Sequence, residues 1–129
     1  MTTATLRLCK KNLDSPDNVR GCDHGRMESV HFGDTTLTRV TLQPGWKWSQ
    51  HVRPMVHTDT CQAQHIQYVI SGRLRVRMDD GEQLDLAPGD FVIISPGHDA
   101  WVIGDEPFVA VDFSPDMKTY AQPSGEEHP

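Results

Sequence analysis

Pro88-Gly89-Asp90-Phe91-Val92-Ile93-Ile94-Ser95-Pro96-Gly97-His98 is the stretch on which the reading of the fold turns. A four-residue apolar run stands between a Pro-Gly-Asp turn and a Ser-Pro-Gly turn, the length and punctuation of a short buried strand. The same pattern repeats on both sides. Upstream, Leu74-Arg75-Val76-Arg77-Met78 and Gln83-Leu84-Asp85-Leu86 alternate in character and flank Asp79-Asp80-Gly81-Glu82, a hairpin signal. Further back, His65-Ile66-Gln67-Tyr68-Val69-Ile70 alternates into the turn Ser71-Gly72, and residues 36–42 are rich in β-branched side chains. Ser49, His51 and Arg53 alternate as well and read as a strand. Downstream, residues 100–103 and 108–113 complete the set, and a short helical turn is expected near residues 116–120. Many short strands with Gly or Pro between them, and almost no helical period, predict an all-β antiparallel sandwich or small barrel.

The chain has 129 residues, a length that suits one domain with a single core. Residues 1–26 are polar and without a clean period, so the barrel core is expected at about 27–114, followed by a frayed tail. Three cysteines, Cys9, Cys22 and Cys61, are an odd number at irregular spacing, which argues against a disulfide framework. Residues 1–9 lack the charged start and apolar run of a secretory leader, and no apolar stretch is long enough for a bilayer. The expectation is a cytoplasmic protein with no membrane partner. A net charge of -6 argues against a nucleic-acid partner. Arg73, Arg75 and Arg77 share one strand face but lead straight into Asp79, Asp80 and Glu82, so they read as a solvated outer face.

The motifs that carry chemistry lie in two segments. The first runs Pro44-Gly45-Trp46-Lys47-Trp48-Ser49-Gln50-His51-Val52 and continues to His65, six residues before Gly72. The second runs from Gly89 through Pro96-Gly97-His98-Asp99-Ala100-Trp101-Val102 to Gly104-Asp105-Glu106-Pro107. Together they resemble the paired metal motifs of the cupin superfamily, in particular its small single-domain bacterial members, over roughly residues 30–113. The resemblance implies an antiparallel double-stranded β-helix, or jelly-roll barrel, with one divalent transition metal, zinc, iron, nickel or manganese. It also implies a small-molecule ligand and a homodimer paired through a sheet edge.

Within that resemblance, His65 falls where the first motif carries its glutamate ligand, and His51 where it carries a histidine. Ala100 falls at the histidine of the second motif, with His98 two residues earlier and so on the same strand face. The expected ligands are therefore His51, His65 and His98. The gap between His51 and His65 is about eight residues longer than the motif allows, and this inserted loop carries His57, Asp59 and Cys61, any of which can supply a missing ligand. A Cys61 thiolate would soften the site and favour zinc or copper(I) over iron. Gln67 shares a strand face with His65 and is a further candidate for metal, substrate or water. His24, His31 and His128 read as solvated.

No general base stands out; Cys61, His57 and Tyr68 are the candidates. A G-x-S-x-G nucleophile elbow and a phosphate loop are both missing. Trp46, Trp48 and Trp101 are suited either to line an apolar pocket or to pack the core. The function expected is metal-dependent chemistry on a small anionic or enolisable organic molecule. Oxygenase, isomerase, cyclase and lyase reactions all fit, and a non-catalytic module that binds or senses a metal or small ligand is the alternative.

Overall fold

The structure, a computed structural model, describes residues 7–118. Nine strands among them form two antiparallel sheets. The larger sheet contains β1 (Asn18–Cys22), β2 (Gly25–Phe32), β3 (Thr35–Leu42), β9 (Phe108–Asp112), β4 (His65–Ser71) and β7 (Phe91–Ile94), in the order β1-β2-β3-β9-β4-β7. The smaller contains β5 (Leu74–Met78), β6 (Gln83–Leu86) and β8 (His98–Val102), in the order β6-β5-β8. The predicted strands at 36–42, 65–70, 74–78, 83–86 and 91–94 lie in these elements, and those at 100–103 and 108–113 each overlap one, β8 and β9, and run one residue past its end. The sheet also starts earlier than residue 27: β1 and the first residues of β2 come from the segment that shows no period in the sequence. A 3-10 turn, Pro115–Lys118, follows β9; the tail beyond it, with His128, lies outside the described residues.

Side-chain parity builds the core. In β4, His65, Gln67 and Val69 are buried while Tyr68 and Ile70 face out. In β8, His98, Ala100 and Val102 are buried, and in β9, Phe108, Ala110 and Asp112. These inward faces meet Val40, Leu42, Leu74, Val76, Leu86 and Ile94 from the other strands in one apolar cluster. On the outer face Arg75 pairs with Asp85 across the β5–β6 hairpin, with Nε and Nη2 donating at 2.7 and 3.0 Å. Gly72 is required where β4 turns into β5. A Cβ there would sit 2.2 Å from the Pro107 carbonyl oxygen and 2.6 Å from Phe108 Cα, and φ is +79°. Any side chain would push the start of β9 away.

One predicted strand is corrected. Ser49, His51 and Arg53 do not alternate on a strand; they lie in two short helices, α1 (Trp48–His51) and α2 (Arg53–Val56). The helix start is held from a distance. Lys47, the residue before α1, caps nothing with its side chain, and the free Ser49 N–H is instead accepted by Asp99 Oδ1 of β8 at 3.0 Å. A cap supplied 50 residues away leaves no local signature. Pro54, at the start of α2, is the local sign that a central strand does not continue here.

Candidate metal centre

Cys61, His65 and His98 converge inside the molecule. Each offers one ligand atom, and the three atoms lie within 4.8 Å of one another. All three residues are buried. Strand parity delivers the two histidines: His65 opens β4 and His98 opens β8 on their inward faces, with ring centroids 5.2 Å apart in an edge-on arrangement. Cys61 belongs to the loop after α2 and is pinned by backbone bonds to the start of β8. Its N–H donates to the His98 carbonyl at 2.7 Å, and the Gly97 N–H donates to its own carbonyl at 2.7 Å. Gly97, at φ +95°, makes the turn that allows this.

The outer nitrogens of both imidazoles are committed. His65 Nδ1 is 2.9 Å from Asp112 Oδ2, and His98 Nδ1 donates to the Ser95 carbonyl at 2.7 Å. A ring whose Nδ1–H is engaged presents Nε2 to the site, the way metal-binding histidines are held from behind by a carboxylate or carbonyl. His65 Nε2 stands 3.7 Å from Cys61 Sγ. Around a tetrahedral zinc with bonds of about 2.3 Å to sulfur and 2.0 Å to nitrogen, those two atoms would be about 3.5 Å apart. The donor set and its spacing fit such an ion.

Electrostatics prepares the ligands. Burial pushes the Cys61 thiol up, but the hydrogen bonds with His65 and His98 outweigh it and bring the group down to about 6. Burial also disfavours a charged His65, yet the Asp112 carboxylate, with help from Cys61, raises the imidazole to about 9. At neutral pH the pair is a thiolate and an imidazolium, one proton away from two ligands.

Asp112 is the residue that sequence reading missed. It is fully buried, and it accepts Gln67 Nε2 at 2.9 Å on the same oxygen as His65, while its other oxygen accepts the Ser114 N–H at 2.8 Å. A signal for it existed: it continues the inward set Phe108, Ala110 in β9, and a carboxylate at an inward position must have partners. Asp112 also fixes the amide of Gln67, because the reverse orientation would set two acceptors face to face. Among the described residues, Gln67 Oε1 is buried with no partner, as is Trp46 Nε1. Both residues line a cavity of about 30 Å³ between the sheets, together with His65, His98, Trp48 and Met117. That free space holds one or two waters.

The remaining predicted residues lie elsewhere. The structure does not bring His51 to this cluster; its imidazole lies with Asp23 and His24 in a second, more exposed group. His24, read as solvated, is thus part of a group. His57 caps α2 in a left-handed conformation and is exposed. Tyr68 points outward from β4. Trp46 and Trp48 line the cavity, whereas Trp101 lies under Lys47 Nζ, 5.0 Å from the ring centroid.

The chain belongs to the cupin family: the model described as "Cupin domain" matches residues 38–114. No curated protein matches the chain. Among solved structures, a protein of unknown function from Rhizobium leguminosarum bv. viciae 3841 superposes with a TM-score of 0.60 at 19% identity, over 84% of this chain and 97% of that one. Ectoine synthase from P. lautus gives 0.60 at 12% identity, over 83% and 78%. KdgF from Halomonas sp. gives 0.54 at 21% identity, over 76% and 87%. At these identities the likeness concerns the fold. Among the described residues no helix is long and apolar enough to cross a membrane.

Proposed function

We propose that this cupin holds one divalent transition metal, zinc, through Cys61 Sγ, His65 Nε2 and His98 Nε2, and acts on a small anionic or enolisable organic molecule. The observation that carries the reading is the convergence of three buried donors whose imidazoles are both held from behind, His65 by Asp112 and His98 by the Ser95 carbonyl. A thiolate among the ligands favours zinc over iron, so isomerase, cyclase or lyase chemistry fits better than oxygenation. When bound, such an ion supplies Lewis acidity toward a substrate oxygen. Three protein ligands leave an exchangeable position, which supports an enzyme over a closed storage or structural site.

Among the described residues, Trp46 Nε1–H is a buried donor without an acceptor and Gln67 Oε1 a buried acceptor without a donor, on one otherwise largely apolar wall. A space of about 30 Å³ admits one or two waters, each able to satisfy such a group, and an organic ligand enters only if the walls move apart. Elemental analysis of the full chain after dialysis tests the metal: the buried centre is expected to retain about one zinc per chain, lost in Cys61→Ala and His98→Ala. Undiminished zinc in both variants would refute the ligand set.

The same contacts favour a second reading. Cys61 Sγ, His65 and Asp112 stand in the order of a nucleophile, base and orienting carboxylate, at 3.7 and 2.9 Å. Cys61 is only 2% exposed and is not on the cavity wall, so an incoming carbonyl would not reach its sulfur. The metal reading is preferred for that reason. A homodimer is supported by the outward face of β4 and the edge strand β7, where Tyr68, Ile70, Phe91 and Ile93 are 45–67% exposed. Phe91→Asp is expected to halve the mass seen by sedimentation. A reduced Cys61 is compatible with the cytoplasm.

A further inference from the structure

The turn between β1 and β2 consists of two residues, Asp23 and His24, because Cys22 pairs directly with Gly25. His24 sits there at φ +66°, a left-handed conformation that costs a residue with a Cβ about 1 kcal/mol. Glycine is the natural occupant. The turn is kept in place by the His24 carbonyl, which accepts the Gln43 N–H at 2.8 Å, and the ring passes over Gly45. A strained histidine where glycine is favoured directs attention to what its side chain does.

It meets the imidazole of His51 in α1, with ring centroids 4.7 Å apart and planes tilted by 41°. Asp23 stands between them: Oδ1 is 3.0 Å from His24 Nδ1, and Oδ2 is 3.8 Å from His51 Nε2. One ligand atom from each of the three lies within 4.8 Å of the other two. The His51 ring is held against backbone, with Nδ1 3.0 Å from the Lys47 nitrogen and 3.2 Å from the Lys47 oxygen. These two contacts belong to alternative tautomers. With Nδ1–H donating to the Lys47 oxygen, Nε2 turns a lone pair toward Asp23 and His24, the orientation that backbone carbonyls impose on metal-ligating histidines.

We propose that Asp23, His24 and His51 form a second cation site, separate from the buried centre, for a divalent first-row transition ion such as cobalt, nickel, copper or zinc. Two imidazoles and one carboxylate suit these ions, whereas calcium and magnesium take oxygen ligands. The site is shallow, with side-chain exposures of 73% for Asp23, 42% for His24 and 13% for His51, so water or a small ligand completes the coordination. It ties the β1–β2 hairpin to α1, two parts of the chain that meet only in the folded state.

Titrating the purified full-length protein with cobalt(II) alone tests this. A thiolate-ligated cobalt gives a strong near-ultraviolet charge-transfer band, while the surface site has no sulfur and binds without one. The wild type is expected to bind two ions, only one of them linked to the band. His24→Gly, which suits the left-handed backbone, and Asp23→Asn are each expected to weaken the silent ion at least tenfold and leave the band unchanged. A wild type that binds no silent ion, or a silent ion unaffected by both substitutions, overturns the proposal. A silent ion lost in both variants, with no band in any of them, upholds it and refutes the Cys61 centre instead.

Discussion

The two histidine groups of this cupin differ in almost every physical respect, and the contrast shows what makes a cluster a site. Cys61, His65 and His98 are buried, arise from strand starts and a pinned loop, and have their outer nitrogens engaged by Asp112 and by a carbonyl. Asp23, His24 and His51 lie at the surface, arise from a strained turn and a short helix, and depend on one exposed carboxylate. In the interior an unpaired polar group is costly, so each member is locked by the others. At the surface water serves any member that lacks a partner, so the group contributes little to folding and its ligand set stays adaptable.

The strongest way to break this contrast is to remove the central carboxylate of each group. Asp112→Leu strands the buried donors of His65 and Gln67, and a loss of about 3–5 kcal/mol is expected from the urea midpoint. Asp23→Leu should cost no more than about 0.5 kcal/mol. Equal losses would show that burial does not separate the groups. A milder change, Asp112→Asn, retains the volume but alters the charge behind His65; zinc affinity measured by competition with a chelator should fall about 10–100-fold.

Protons sharpen the comparison next. Zinc must displace the proton that His65 carries up to about 9, whereas Cys61 is already a thiolate above about 6. Calorimetry in buffers of different ionisation heat should therefore find about one proton released per zinc from this pair near neutral pH. The number falls toward none as pH rises past the His65 value, and rises toward two as it drops past that of Cys61. A count independent of pH would contradict the thiolate–imidazolium pair. The smallest effect is expected at the turn. His24→Gly relieves the left-handed strain and should leave thermal stability unchanged or up to about 1 kcal/mol higher, while no substitution of Cys61, His65 or His98 should stabilise the metal-bound protein.

Much of the fold was legible without coordinates because it rests on local rules. The alternation in 65–70 divides the side chains of β4 between two faces, and Asp79-Asp80-Gly81-Glu82 marks a hairpin. That His65 shares a face with Gln67, and His98 with Ala100, follows from the same two-residue period; which face points inward does not, since the apolar Tyr68 and Ile70 are the exposed ones. Less of the site was legible. His51 has the right spacing along the chain for a motif histidine, but it lies in a helix whose Ser49 N–H is capped by Asp99 of β8. Cys61 is a loop residue whose position is set by backbone pairing with Gly97 and His98. Asp112 reaches His65 across 47 residues of chain.

Strand periods, turn glycines and the division of each strand into two faces thus belong to the amino-acid order itself, since each depends on neighbours a few positions away. The partners of each imidazole were decided only by the closed fold. A ligand cluster is a meeting of distant residues, and its membership depends on sheet register, on a cap borrowed from another strand and on which carboxylate is buried where water cannot replace it.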